Sequence, residues 1–312
     1  MKGTGSRLLR SRATVGILVG VVLAVSHAVV RAEGQVETAV GGGARALSLG
    51  EGGAAASTGV ESLFWTPAGV AEVAEPEFLL GHTSWVEGLN LEAAAAVVPL
   101  GEPGVIGMVG SWQTFGGIEE RDAGGNLVRT FSLTTASASA AFARPLSSHA
   151  FVGLSVGFRI QNGSVMNEKV VPFGLGVGWQ LDNVRIGASA QGLLAPMPAY
   201  QVSAAWRGRA AGLGFLVTGG AILRQGEDRA GIGVESMVGR ILRVRVGYVL
   251  PLQKSDLRTF SNLGAGFGLT YRALGFDYAF LPLGDLGQVH RIQMSLKLPR
   301  VEAIPVVTAP PM

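Results

Sequence analysis

Gly153-Leu154-Ser155-Val156-Gly157 has the G-x-S-x-G spacing of a hydrolase nucleophile. That chemistry needs a strand, a strained turn and then a helix, so that the serine hydroxyl stands clear of the sheet. Here Phe158-Arg159-Ile160-Gln161 carries the apolar/polar alternation onward, so Ser155 reads as a small residue inside a strand. Gly174, Gly176 and Gly178 imitate a phosphate loop, but no Gly-Lys-Ser/Thr follows them and no helix opens. His82, His149 and His290 are far apart, the chain has no Cys, and no H-E-x-x-H occurs, so no metal site is expected. Glu119, Glu120 and Asp122 form a small acidic cluster that offers oxygen ligands to a cation; it reads first as a solvated acidic loop. Met108, Trp112 and Phe115 could line an exit for an apolar ligand or be ordinary strand residues. No catalytic residue and no cofactor is expected.

The elements around these residues explain the absence of catalytic groups. The 312 residues include 47 Gly, 48% are hydrophobic and only 15% are charged, against about 25% charged and about 7% Gly in average proteins. Mean hydropathy is +0.37. This is too apolar for a disordered chain, and without Cys it is no disulfide scaffold. The glycines do not fall at every third position, which excludes collagen.

Residues 1–32 read as a secretory signal. Lys2, Arg7, Arg10 and Arg12 form the basic region, Ala13–Val25 the apolar region, and cleavage fits after Ala28 or after Ala32. Ala13–Val30 also has nearly the length of a retained anchor helix. The net charge of the whole chain is +3. The first 32 residues hold five basic and no acidic side chains, so the remainder carries −2. The high isoelectric point thus belongs to the leader, and nucleic acid is not an expected partner.

Beyond the leader, the dominant signal is period two. In Val289–Leu298, His290, Ile292, Met294, Leu296 and Leu298 share one face and Arg291, Gln293, Ser295 and Lys297 the other. The same pattern predicts fourteen strands, at about 77–86, 89–98, 104–115, 131–143, 149–161, 170–180, 183–193, 200–207, 210–222, 229–238, 240–250, 260–271, 273–281 and 288–298. Most have about the ten residues a tilted strand needs to cross a bilayer. The links alternate. Gly101–Pro103, Arg144–Ser148, Leu181–Asp182, Gly208–Arg209, Gly239 and Arg272 are short; Gly116–Thr130, Asn162–Lys169, Leu194–Ala199, Leu223–Asp228, Pro251–Thr259 and Pro282–Gly287 are longer. Outer-membrane barrels sort their loops in this way. Only the link at Glu87–Gly88 breaks the alternation.

The fold class is therefore all-β, a transmembrane antiparallel β-barrel of about fourteen strands over residues 76–298, in the outer membrane of a Gram-negative-type envelope. Outer-membrane lipid and the barrel-assembly machinery are its expected partners. The apolar face meets lipid, because only closure pairs every backbone group there. The other face carries Gly, Ser and the lumen charges Arg159, Arg185, Glu235, Arg243, Arg245, Asp277, Arg291 and Lys297. Its glycines leave space or admit another backbone. Aromatics near strand ends, among them Trp179, Trp206, Tyr248, Phe260 and Tyr271, suit an interfacial girdle. Residues 33–75 break the alternation, with short helical pieces at Val60–Trp65 and toward Val73. They read as a helical hatch inside the barrel, or as a periplasmic arm. A Pro-rich periplasmic tail is expected over 299–312.

Gly43-Ala44-Arg45-Ala46-Leu47-Ser48-Leu49-Gly50, followed by Phe64 and then Trp65, Thr66, Pro67, Ala68 and Gly69, resembles the small-residue opening and W-N-P-A-G hatch motif of FadL-type and PorV/PorQ-like outer-membrane barrels, uncharacterised members included. Thr66 stands where Asn is usual. Gly117–Arg121 with Asp122-Ala123-Gly124-Gly125-Asn126 continues the resemblance, as do Gly264-Ala265-Gly266-Phe267-Gly268, Gly275-Phe276-Asp277-Tyr278-Ala279 and Leu286–Arg291, across most of residues 41–298. Leu298 replaces the usual terminal aromatic. The resemblance implies a fourteen-stranded barrel with a hatch, passing small hydrophobic molecules, with a lateral exit placed at Gly107, Gly110, Gly116 and Gly117. PorV-like members imply an alternative, a secretion-associated barrel that binds or anchors exported proteins.

Overall fold

A computed structural model of the chain describes residues 42–53, 56–85, 88–122, 124–163, 167–210, 212–226, 228–252, 262–282 and 287–299. The expected leader, the tail from residue 300 and the girdle residue Phe260 lie outside them. Fifteen strands form one sheet: β1 Glu77–Ser84, β2 Leu89–Pro99, β3 Val105–Arg121, β4 Leu127–Pro145, β5 Ala150–Asn162, β6 Asn167–Val170, β7 Phe173–Leu181, β8 Val184–Leu193, β9 Ala199–Ala210, β10 Leu213–Arg224, β11 Arg229–Val238, β12 Leu242–Pro251, β13 Leu263–Tyr271, β14 Leu274–Pro282 and β15 Gln288–Lys297.

Each strand is antiparallel to its neighbours, and β1 pairs with β15 from Glu77↔Lys297 to Ser84↔His290. The β4–β5 pairing completes the circle. β6 and β7 are one stave. Both pair with β5 in a single continuous register, interrupted at Val171-Pro172, where proline has no N–H to donate. The barrel therefore has fourteen staves, as the alternation predicts.

The faces also follow the sequence. Leu80, Met108, Leu154, Leu175, Ile232, Tyr248 and Met294 are exposed on the outside, whereas Leu79, Val97, Thr218, Arg245 and Arg291 are buried inside. Closure pairs the wall's backbone groups, so this apolar exterior can stand in hydrocarbon.

One region is longer than expected. Gly116–Thr130 reads as a loop, but β3 and β4 run on as a paired ribbon of 17 and 19 residues past a bulge between Phe115 and Ile118. Arg129 pairs with Glu120 across this ribbon, and Arg121 with Glu119 along β3. The tip is closed by Asp122, whose carboxylate accepts from Gly124 N at 2.9 Å and Asn126 N at 2.8 Å. Those bonds hold the Asp122 carboxyl below its ordinary pKa, the Asn126 side chain contributing most. Of the expected acidic cluster, Asp122 thus closes the turn, while Glu119 and Glu120 pair with arginines of the ribbon.

Residues 42–75 pack against the inner face. An α-helix spans Ala44–Ser48, and 3-10 turns span Val60–Phe64 and Pro67–Val70. The glycines of the wall determine where this segment sits. A Cβ on Gly231 would lie 1.9 Å from the Gly50 carbonyl oxygen, one on Gly247 2.2 Å from the Gly50 nitrogen, and one on Gly233 2.4 Å from the Leu49 carbonyl oxygen. Gly50 itself has φ +66°, which suits glycine. Across the barrel, Gly153 and Gly176 admit Pro67 and Ala68 in the same way.

Gly247→Val should therefore displace the segment and leave the wall intact. Detergent-extracted protein should keep its compact, heat-modifiable gel mobility, while proteolysis within 42–75 quickens by about tenfold, the effect of making local opening about 1.4 kcal/mol easier. Gly214→Ala, whose nearest contact would be Met237 Cβ at 3.9 Å, should change neither measurement.

Candidate functional site

The site is the contact between this segment and the wall. Arg45 reaches β11, where its Nε donates to Glu235 Oε2 at 2.9 Å and its Nη2 to Oε1 at 3.0 Å. Arg245 on β12 donates through Nε to the same Glu235 oxygen at 2.7 Å, and through Nη1 to Asp277 on β14. Four charges thus form a chain from the helix across three strands. Buried ion pairs of this kind offset their desolvation only when every partner stays in place. Gln293 Oε1 accepts the Ala44 N–H at 2.7 Å, and Glu77 Oε2 accepts that of Val60 at 2.8 Å. Glu77 also pairs with Lys297 at 2.8 Å, and Arg185 pairs with Glu72. The Trp65 carbonyl accepts from Ser189 Oγ at 2.9 Å and from Gln191 Nε2 at 3.1 Å.

Burial opposes charge on Arg45, but Glu235 outweighs it and holds the guanidinium above its ordinary pKa. Burial, aided by Asp277, pushes the Glu61 carboxyl up; the Ala46 N–H that it accepts at 3.2 Å opposes this. Beneath the segment, at the short-turn end that faces the periplasm in outer-membrane barrels, lies a chamber of about 980 Å3. Arg207, Arg243 and Arg272 line it together with Glu72, Glu75 and Glu77.

The eight expected lumen charges all project inward. The structure joins Glu235 to Asp277 through Arg245, with Arg45 attached at Glu235, and ties Arg185 to Glu72 of the segment and Lys297 to Glu77 at the start of β1. Arg243 donates to Thr270 Oγ1. Arg291 stands apart, donating to Thr83 Oγ1 at 2.8 Å, and Arg159 lies higher on β5. Trp65, Thr66, Pro67, Ala68 and Gly69 are all buried; the Pro67–Val70 turn packs on β4, β5 and β7, and β8 holds the Trp65 carbonyl. The four exit glycines do not form one feature. Gly107 faces inward, where a Cβ would meet Leu63 at 2.8 Å. Gly110 faces the outer groove of about 680 Å3 beside Leu80, Trp112 and Met294. Gly116 and Gly117 form the bulge, and below it β3 is paired on both edges from Val105 to Phe115.

Ser155 is mid-strand with no nucleophile elbow around it. His82 contacts Glu92 at 2.6 Å on the outer face, and His290 contacts Tyr278. No group of metal-ligating residues occurs among the described residues. Sequence reasoning missed Arg45, Glu61 and Glu72. The available signal was that these are three of only five charges in residues 42–75, an otherwise small-residue stretch.

Glu235→Gln should weaken the seat by about 3–5 kcal/mol, the usual effect of removing one partner of a buried ion pair, seen as protease sensitivity of residues 42–75. Glu61→Gln should do the opposite. A carboxyl whose folded pKa is raised loses stability as pH climbs from its unfolded value through its folded one. Native protein should therefore lose protection of the segment as pH rises above about 4.5, and Glu61→Gln, which keeps the acceptor oxygen, should not. Parallel pH profiles of the two proteins would refute this account of Glu61.

No protein-family model matches the chain, and no curated protein matches it. Solved structures do. The toluene transporter TodX of Pseudomonas putida superposes with a TM-score of 0.57 at 13% identity, over 82% of this chain and 96% of that one. A TodX deltaS2S3 mutant described as a monoaromatic hydrocarbon channel gives 0.53 at 13%, over 82% and 98%. A FadL homologue of Pseudomonas aeruginosa gives 0.53 at 11%, over 82% and 98%. These neighbours are transporters and channels, not enzymes, and at such identities the likeness is one of fold. The chain is an outer-membrane β-barrel with the FadL-type fold.

Proposed function

We propose that this barrel passes small hydrophobic molecules across the outer membrane, with residues 42–75 as its hatch. The observation that carries the reading is the chamber of about 980 Å3 under a segment that fills the barrel's waist. A purely structural plug needs no such space. The barrel also superposes on a toluene transporter, which supports the same class of cargo. The bulge at Gly116–Gly117 remains the support for a lateral exit, since the rest of β3 is paired. The secretion-associated alternative gains nothing from the comparisons.

A strain lacking the protein should take up a tracer such as radiolabelled toluene several-fold more slowly at low concentration, while uptake of a hydrophilic sugar stays unchanged. Restoring the native chain should restore the rate. Equal tracer uptake with and without the protein would sink the proposal.

A further inference from the structure

The segment meets the wall differently on three arcs. Against β2–β5 the packing is apolar: Leu63, Val70 and Val73 pack with Val97, Ala143 and Phe151. Against β10–β13 it lies on the wall's glycines, backbone on backbone, beside the Arg45–Glu235 pair. Against β7–β10 the contact is polar and incomplete. Trp65 Nε1, Thr66 Oγ1, Gln201 Oε1 and Ser203 Oγ are all buried, and none has a hydrogen-bond partner among the described residues. Their residues are 3%, 1%, 8% and 5% exposed. Buried polar groups are nearly always hydrogen-bonded, to protein or to water, so four unpaired ones on one arc mark a place built for a hydrogen-bonding visitor.

The inner face of β9 continues this arc downward. Gln201, Ser203, Ala205 and Arg207 follow one another along it. Ala205 packs with Leu49, Ala56 and Leu216 beside a cavity of about 20 Å3, which Arg45 and Arg207 also line; about 10–15 Å3 suffices for one water. Arg45 and Arg207 also line the periplasmic chamber. Polar groups, a water-sized cavity and the chamber therefore lie in sequence along a single strand face.

We propose that this β9 seam is the passage past the segment: a hydrated path that opens between the segment and β9, where Gln201 and Ser203 hydrogen-bond the polar group of a small amphiphilic permeant. The other two arcs stay seated while it opens. Only the nature of the cargo rests on the transport reading; the seam itself does not.

The native chain has no Cys, which allows a direct test. Ser203→Cys and Ala143→Cys both place a thiol on the inner wall at equally buried positions, 5% and 0% exposed. In proteoliposomes, a small charged methanethiosulfonate should modify Ser203→Cys at least about tenfold faster than Ala143→Cys, because a path that opens exposes its thiol and an apolar seat does not. Equal rates would overturn the seam. A larger maleimide attached at Ser203→Cys should then abolish uptake of a radiolabelled small amphiphile such as benzyl alcohol, and fast labelling without any block would overturn the seam as the route. Fast labelling in a chain whose native form carries no tracer would instead reject the hydrophobic cargo and leave the seam standing.

Discussion

The closeness of two backbones governs this molecule. A β-barrel wall normally presents side chains to its interior, and those side chains hold any internal segment at a distance. Here Gly231, Gly233 and Gly247 remove them on two neighbouring strands, so Leu49 and Gly50 rest almost on the wall itself. That proximity brings the Ala44–Ser48 helix within reach of β11–β15, which lets Arg45 meet Glu235 and lets Gln293 take the Ala44 N–H. A wall of alanines would keep the barrel but push the helix outward, and the ion chain through Arg245 to Asp277 would lose its first member. The electrostatics are thus a consequence of the steric fit.

The same reasoning separates what the sequence reveals from what it hides. Strand positions and faces are legible because period two is a local property: each outward Leu or Val sits two residues from the next. The need for space along β10–β13 is legible too, since Gly231, Gly233, Gly264 and Gly266 alternate with apolar residues. What fills the space is not, because the occupant lies far away in the chain. Arg45 and Glu235 are 190 residues apart, and Glu72 and Arg185 are 113. The β3–β4 ribbon was hidden for another reason. Gly116-Gly117 and the charges from Glu119 to Asp122 have loop composition, and only the cross-strand pairing of Glu120 with Arg129 shows that they belong to strands. In the hatch motif, Thr66 replaces the usual Asn, and its hydroxyl, facing Gly176, is left without a partner.

The wall and the segment also differ in what it costs to move them. Every stave is paired to two others, and a broken rung would leave an amide or carbonyl bare in hydrocarbon at several kcal/mol each. Among the described residues, no backbone-to-backbone hydrogen bond joins 42–75 to a strand. The segment is held by side chains, apolar packing and shape alone. It can shift without opening the wall, so a barrel of this kind can admit a visitor and remain closed to lipid. The distribution of those holding contacts then sets the direction of movement. Apolar packing on β1–β5 and the ion chain on β11–β14 each lose many contacts at once if displaced, whereas the β7–β10 arc is held by the Trp65 carbonyl on Ser189 and Gln191 and by the Arg185–Glu72 pair, and carries four further polar atoms that bond to nothing among the described residues. Movement begins where the bonds are unmade, and on this molecule that place overlooks Arg207 and the chamber beneath it.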